Sequence, residues 1–301
     1  MRFITILNRD GGTLRTADID DLRSHIMRSL REAGHEGEVR IVRGRGIESA
    51  LKAACGDPEI DVVMAGGGDG TISAAAASLM DTDKALAILP AGTMNLYARG
   101  LGIPLDLKAA IDALVTGQER AVDMATANGR PFVHQFSIGL HARVVQLRSR
   151  FEYGSRLGKM MASVRAGMAT VSRPPSIDIA IDMGEAEVLA TTAGVGISNN
   201  LFGEGHLPFA DVPDGGILGI YVSSAATRTD LIRIFLAMAR GRLRETNQVE
   251  IHESRMALLT IRSPLRRQRC VIDGELHPLE KETLVRIHPG ALKVLVPAAE
   301  S

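Results

Sequence analysis

The segment 64–71 is the part of the sequence best suited to bind a ligand. It lies where an apolar run, residues 60–65, ends and a helix-like run, residues 72–80, begins. Four glycines fall within five positions: Gly66, Gly67, Gly68 and Gly70. Because glycine has no Cβ atom to hold a ligand away, the backbone N–H groups of such a turn suit phosphate. Asp69 would repel that phosphate unless a cation or a hydroxyl lay between them, so the segment predicts a nucleotide site with Mg²⁺ nearby.

Neither of the two common phosphate-binding motifs fits this segment. A P-loop requires a lysine after its glycines, and none follows here. The dinucleotide fingerprint requires glycine at its sixth position, where this chain has Thr71. An ordinary tight turn between strand and helix is the plain alternative, but one glycine would be enough for such a turn.

Composition and length limit the classes of protein that this chain can belong to. Its 301 residues are enough for one large or two ordinary domains, and 45% apolar with 23% charged residues indicates a globular protein. A formal net charge of zero gives no support for nucleic acid as a partner. Two distant cysteines, Cys55 and Cys270, predict no disulfide framework, which favours the cytoplasm. No apolar run approaches the ~18–20 residues that span a bilayer.

The first ~120 residues alternate strand and helix signals, which favours a parallel α/β sheet. Strands are predicted over 3–7, 39–42, 60–65 and 85–89, with helices over 19–33 and 47–55. In such sheets ligands bind beyond the carboxyl ends of the strands. Three polar or glycine-rich turns occupy that position, at residues 8–13, 66–71 and 91–95. We expect them to converge on one edge of the sheet.

After about residue 122 the pattern changes to a period of two, which predicts a largely antiparallel, sandwich-like second domain. Strands are expected over 177–183, 188–197, 217–222, 269–272 and 283–287, and in part of 250–262. Helices are expected over 153–171 and 229–240. The predicted division is therefore an α/β nucleotide domain over 1–121 and a β-rich substrate domain over 122–290. The apolar segment 291–296 is expected to return to the first domain.

Five short motifs, in this order and spacing, resemble the diacylglycerol kinase catalytic family, which includes bacterial lipid kinases and sphingosine kinases, with NAD kinases more distant. The resemblance covers nearly the whole chain. The motifs are Gly67-Gly68-Asp69-Gly70-Thr71, Leu89-Pro90-Ala91-Gly92-Thr93-Met94-Asn95, Phe136-Ser137-Ile138-Gly139, Asp211-Val212-Pro213-Asp214-Gly215-Gly216 and Asp273-Gly274-Glu275.

The resemblance implies an ATP- and Mg²⁺-dependent kinase and assigns roles to particular residues. Nucleotide binding falls on the turns, at Asn8, Arg9, Gly66, Gly67, Gly68, Gly70, Thr71, Gly92, Thr93 and Asn95. Thr71 and Thr93 could equally cap helices. Catalysis falls on Asp273 and Glu275, one of which would accept the proton of an alcohol, together with Asp69. A structural Mg²⁺ loop would use the carboxylate of Asp214 and the carbonyl groups of Asp211 and Gly216.

The chain departs from the family pattern at four positions. Arg9 stands where a proline usually follows Asn8, and Leu96 replaces an acidic residue that sphingosine kinases also lack. Arg43 replaces a threonine, and His141 replaces an acidic residue. These changes leave the nucleotide-kinase interpretation intact but weaken any inference about the acceptor.

Two basic stretches raise the question of membrane contact. Residues 143–173 hold seven Arg or Lys residues and one acid, with methionines and valines between them. Residues 227–244 hold five arginines and one acid. A basic amphipathic helix can lie on an anionic bilayer, but an ordinary helix with a solvated face fits as well.

The sequence therefore predicts an ATP-dependent lipid kinase with a diacylglycerol-like acceptor at the membrane surface. Two alternatives stay open: a kinase of a soluble alcohol such as NAD, and a non-catalytic nucleotide- or membrane-binding module. A cytoplasmic location with peripheral membrane attachment is the expectation. The oligomeric state is open, with a homodimer as one option.

Overall fold

A computed structural model describes residues 1–148, 175–204, 208–225, 227–264 and 268–298. The chain divides into two compact units. The first comprises Met1–Met124, Asp211–Gly215 and His288–Ser301, and the second comprises Ala125–Ala210 and Gly216–Ile287. The predicted helix over 153–171 lies outside the described residues.

The first unit is an α/β structure in which helices connect parallel strands. In chain order its elements are β1 (Arg2–Asn8), α1 (Ile19–Glu32), β2 (Glu36–Val42), α2 (Ile47–Gly56), β3 (Val62–Gly67), α3 (Asp69–Leu79), β4 (Ala85–Pro90), α4 (Leu96–Gly100) and α5 (Leu107–Val115). Strand β5 (Gln118–Ala127) leads into the second unit. The strands lie in the order β2-β1-β3-β4, and each pair is parallel. The predicted fold class of this region is confirmed.

Local sequence explains these elements. Every residue of β3 and β4 is buried, as expected of parallel strands that are covered on both faces. Helix α1 begins where the Asp18 carboxylate accepts hydrogen bonds from the backbone N–H groups of Asp20 and Asp21. Its apolar residues Leu22, Ile26 and Leu30 recur at helical spacing and are buried. The helices thereby fix where each strand ends and each ligand-facing turn begins.

The second unit is built mainly from antiparallel strands. Its elements are β6 (Arg130–Phe132), β7 (Gln135–Gly139), α6 (Leu140–Arg148), β8 (Ile177–Asp182), β9 (Glu187–Thr192), β10 (Gly194–Asn199), β11 (Leu218–Ser223), α7 (Arg228–Ala239), β12 (Val249–Ser254), β13 (Met256–Ile261), β14 (Arg269–Ile272), β15 (Glu275–Pro278) and β16 (Glu282–Val296). One sheet has the order β12-β11-β10-β7-β14-β15. The other contains β9, β8 and β13, with the first part of β16 paired to β13. Buried side chains of both sheets, such as Phe136 and Ile181, form one core.

Two predicted strands differ from the structure. The segment 188–197 is two strands, because the chain leaves one sheet after Thr192 and enters the other at Gly194. The Thr192 hydroxyl stabilises this break by donating to the backbone carbonyl oxygen of Ser223 at 2.6 Å. Conversely, segments 283–287 and 291–296 belong to the single strand β16, whose last residues pair in parallel with β4.

Among the described residues, no helix has both the length and the apolar character needed to cross a membrane.

Candidate active site

The glycine turn joins β3 to α3 in the first unit. A Cβ atom at Gly66 would lie 2.6 Å from a Leu7 methyl group, and one at Gly67 would lie 2.5 Å from the Thr71 side chain. Packing therefore requires glycine at Gly67, whereas at Gly66 the Leu7 methyl group would have to move. At Gly68 a Cβ atom would meet only the Gly92 Cα atom, at 3.7 Å, which is ordinary contact. Since Gly68 also has an unstrained φ of −84°, neither packing nor conformation explains its lack of a side chain.

The turn after β1 is tied directly to the glycine turn. The Asn8 side-chain amide donates to the Thr71 hydroxyl at 3.0 Å, and the Asn8 side-chain oxygen accepts from the Asp10 backbone N–H at 3.1 Å. Asn8 and Thr71 were predicted to bind the nucleotide, and the structure pairs them with each other. The Arg9 guanidinium donates to the Leu14 backbone carbonyl oxygen, so this side chain folds over its own turn.

The third turn, after β4, is organised by Asn95 and Asp69. Asn95 has a left-handed backbone, with φ 49°, and its side-chain oxygen accepts from the Gly92 N–H at 2.8 Å. The Asp69 carboxylate accepts from the backbone N–H groups of Asn95 at 3.3 Å and Leu96 at 2.9 Å. Asp69 therefore positions the loop before α4. A carboxylate has about four lone-pair sites, so these two bonds leave it capacity to face a cation.

The three turns lie together at one edge of the sheet, as the sequence predicts. The Thr13 N–H donates to the Ala91 carbonyl oxygen at 2.8 Å, and the Ala91 N–H donates to the Gly67 carbonyl oxygen at 3.0 Å. Gly12, with φ 31°, passes so close to Ala91 that a Cβ atom would lie 1.9 Å from its carbonyl oxygen. The first N–H groups of a helix have no acceptor within the helix. Those at the start of α3, near Gly68, lie at this shared edge and can receive an anion.

The acidic turn of the second unit is a two-residue hairpin. Asp273 and Gly274 have φ angles of 45° and 86°, and they connect β14 to β15. The Asp273 carboxylate accepts three backbone N–H groups at 2.9–3.0 Å, those of Val133, His134 and Gln135. Asp273 therefore holds this segment at the start of β7. The side chain of Glu275 is exposed, which leaves it better placed to meet an acceptor.

The structure gives Asp214 a partner other than a metal. The Arg120 guanidinium donates to both Asp214 carboxylate oxygens at 2.7 Å. The described residues contain no group of three or more His, Cys, Asp or Glu side chains arranged to hold a metal ion. Arg120 therefore neutralises the Asp214 carboxylate, and the predicted magnesium loop, which would use this carboxylate and two backbone carbonyl groups, stays a prediction. Asp211 lies in the same loop of the first unit, and Gly216 begins a segment of the second.

Sequence reasoning missed a buried carboxylate on β5. Asp123 is only 2% exposed, and its side chain accepts from the Gly290 N–H at 2.9 Å. Its own backbone N–H donates to the Pro213 carbonyl oxygen at 2.9 Å, which attaches the 211–215 loop to β5. An acid within an otherwise apolar strand was the signal that could have identified it.

The two cysteines offer no reactive thiol. Burial raises the pKa of the Cys55 thiol and that of the Cys270 thiol. Because the thiolate is the nucleophile, both side chains are poor candidates for covalent chemistry.

Comparison with known proteins identifies the family to which the chain is similar. The model of the diacylglycerol kinase catalytic domain matches residues 2–127, and that of the YegS C-terminal NAD kinase beta sandwich-like domain matches residues 135–296. A diacylglycerol kinase from Mycobacterium tuberculosis is 30% identical over 271 residues, covering 86% of this chain and 84% of that protein. An uncharacterised Synechocystis protein is 28% identical over 252 residues, which are 79% of this chain and 55% of that protein.

The fold is also found among solved structures. The crystal structure of a diacylglycerol kinase from Bacillus anthracis aligns with a TM-score of 0.72 at 17% identity, covering 99% of this chain and 97% of that one. The solved structures therefore share the fold of this chain, an α/β unit followed by an antiparallel unit. The chain belongs to the diacylglycerol kinase catalytic family.

Proposed function

We propose that this protein is an ATP-dependent lipid kinase that transfers the γ-phosphoryl group of ATP to the hydroxyl of a diacylglycerol-like lipid. The observation that carries the proposal is the open space at Gly68. This glycine lies at the edge shared by three turns, where a Cβ atom would fit without a clash. A phosphate that approaches the backbone at this point would explain the absence of a side chain.

The phosphates of ATP would lie against the backbone N–H groups at the start of α3. Phosphoryl transfer depends mainly on positioning and charge neutralisation. Asn8 and Asp69 serve positioning by holding the neighbouring turns in place. Bound with ATP, Mg²⁺ would neutralise phosphate charge, and the Asp69 carboxylate, at the first residue of α3, could face it. Thr93 is exposed in the third turn and can offer its hydroxyl to the nucleotide.

The acceptor step requires a base. As the new P–O bond forms, the hydroxyl proton of the lipid passes to a carboxylate, and the bond from the γ-phosphorus to the β–γ bridging oxygen breaks to release ADP. Glu275 is favoured for this role, since its side chain is exposed. The Asp273 carboxylate instead accepts hydrogen bonds from three backbone N–H groups. We therefore assign Asp273 the structural role of positioning residues 133–135.

The relatives support a lipid as the acceptor. A protein that is 30% identical over 86% of this chain is named diacylglycerol kinase. The test is ATP consumption with a panel of lipids in mixed micelles, with and without Mg²⁺, alongside NAD as a soluble alcohol. We expect Mg²⁺-dependent consumption with diacylglycerol-like lipids and none above background with NAD. Phosphorylation of NAD alone would make the acceptor a soluble alcohol, and no consumption with any acceptor would contradict the kinase assignment.

A further inference from the structure

Helix α7 exposes an apolar face in the second unit. Leu231 is buried in a small cluster with Ala193 and Ala225, and Ile234 packs against that cluster. Adjacent to this buried face around the helix, Ile232 is 49% exposed, Phe235 70% and Leu236 41%. A monomeric protein seldom leaves large apolar side chains adjacent to one another in water without a binding role.

These side chains form one stripe. At about 100° per residue, Ile232, Phe235 and Leu236 fall within an arc of about 100° on the helix. Arg233 and Arg240 fall about 40–60° beyond that arc, on the Leu236 side. The α7 face, which we define as Ile232, Phe235, Leu236, Arg233 and Arg240, is thus apolar with a basic margin.

An open groove continues the basic margin. It has a volume of about 520 Å³, and its lining includes Arg233, Arg240 and Arg242 with Leu236. Two acidic residues, Asp230 and Glu245, lie near these arginines, and each forms only a long ion pair with one of them. Asp230 completes the cap at the start of α7 with Thr227 and lies 3.6 Å from Arg233, whereas Glu245 lies 3.8 Å from Arg242. Exposed pairs at such distances are weak, so the arginines can still bind anions.

We propose that the α7 face and this groove form a surface that docks on an anionic phospholipid bilayer. The stripe has the chemistry to enter the boundary between headgroups and acyl chains. The planar guanidinium groups suit the phosphates of lipid headgroups, and anionic lipids complement the positive charge. The choice of partner rests on the proposed function, because an enzyme that modifies a bilayer lipid works at the bilayer surface.

The test is sedimentation with vesicles of phosphatidylglycerol and phosphatidylcholine, compared with phosphatidylcholine alone. We expect the parent to prefer the anionic vesicles and to lose affinity as salt rises. Phe235→Gln with Ile232→Gln should weaken binding about tenfold or more. Arg233→Gln with Arg240→Gln should weaken it about tenfold and reduce the salt dependence. Leu189→Gln is the matched control, because Leu189 on β9 is 59% exposed and should leave binding unchanged.

Thermal melting of each variant verifies that it is folded. Equal sedimentation of the parent and both double variants would overturn the proposal, as would equal binding to neutral vesicles. A parent dimer that dissociates in the Phe235 variant would assign the face to a second copy of the chain. Vesicle binding does not depend on turnover, so an inactive protein that still sediments through the α7 face would refute the proposed function alone.

Discussion

Replacing Gly68 by alanine tests whether this glycine is needed for ligand binding or for stability of the fold. The added methyl group would lie 3.7 Å from the Gly92 Cα atom, and the φ of −84° is one that alanine readily adopts. Losing glycine at a helix N-cap costs about 0.5–1 kcal/mol, and the reduced freedom of the unfolded chain returns about 0.4–1 kcal/mol. We therefore expect the Tm to stay within about 3 °C of the parent.

Nucleotide binding should respond differently. The methyl group would stand where phosphate has to approach the backbone, so the affinity for ATP should fall by about tenfold or more, or about 1.4 kcal/mol. Isothermal titration with a non-hydrolysable ATP analogue measures this affinity, and thermal melting measures stability. Parental affinity in a folded Gly68→Ala protein would mean that the phosphates bind elsewhere.

Two other glycines make this experiment interpretable. At Gly67 a Cβ atom would lie 2.5 Å from the Thr71 side chain, so Gly67→Ala should lower the Tm before any ligand is added. At Gly56, the last residue of α2, a Cβ atom would have no heavy atom within 4 Å. Gly56→Ala should therefore keep the Tm within about 3 °C of the parent and leave the affinity for ATP unchanged.

The remaining predictions concern the charged side chains. Asp69→Asn should lower kcat about tenfold or more in a folded protein. The NH₂ group of asparagine would face one of the two backbone N–H groups that now donate to the carboxylate, so the loop before α4 would shift. A kcat within threefold of the parent would remove Asp69 from the mechanism. Glu275→Gln should lower kcat by ~10²-fold at saturating acceptor with an unchanged Tm, whereas Asp273→Asn should lower the Tm, and the reverse result would make Asp273 the base. Arg120→Gln should lower the Tm by about 1–3 °C, because Asp214 loses its ion pair. Added Mg²⁺ should then raise the Tm of this variant by neutralising Asp214. If Mg²⁺ already raises the Tm of the nucleotide-free parent, Arg120 is not the cation that neutralises Asp214.

The buried strands were the most predictable part of the fold. Strand β4 was predicted over 85–89 and spans Ala85–Pro90, because a strand covered on both faces is a continuous apolar run. Strand β2 was predicted only over 39–42, but it begins at Glu36. It lies at the edge of its sheet, where alternation with polar residues hides the start of the strand.

The convergence of the three turns on one sheet edge was also predictable, but the partners of their side chains were not. The glycine pattern indicated the turn after β3 from local spacing alone. The bonds from Asp69 to the loop before α4 depend on the left-handed backbone of Asn95, 26 residues away. The pair between Arg120 and Asp214 joins residues 94 positions apart. Such contacts depend on how the chain folds back, which no local pattern records.

Direct measurement of phosphoryl transfer shows whether the protein is a lipid kinase. The protein would be incubated with ATP labelled in its γ-phosphate, Mg²⁺ and diacylglycerol in mixed micelles, and the lipids would be extracted and separated. We expect the label to appear in a phosphorylated lipid, and the Gly68→Ala protein to yield much less labelled lipid at low ATP concentration. Label that appears only as free phosphate in the aqueous phase, with none in the lipid, would contradict a lipid kinase.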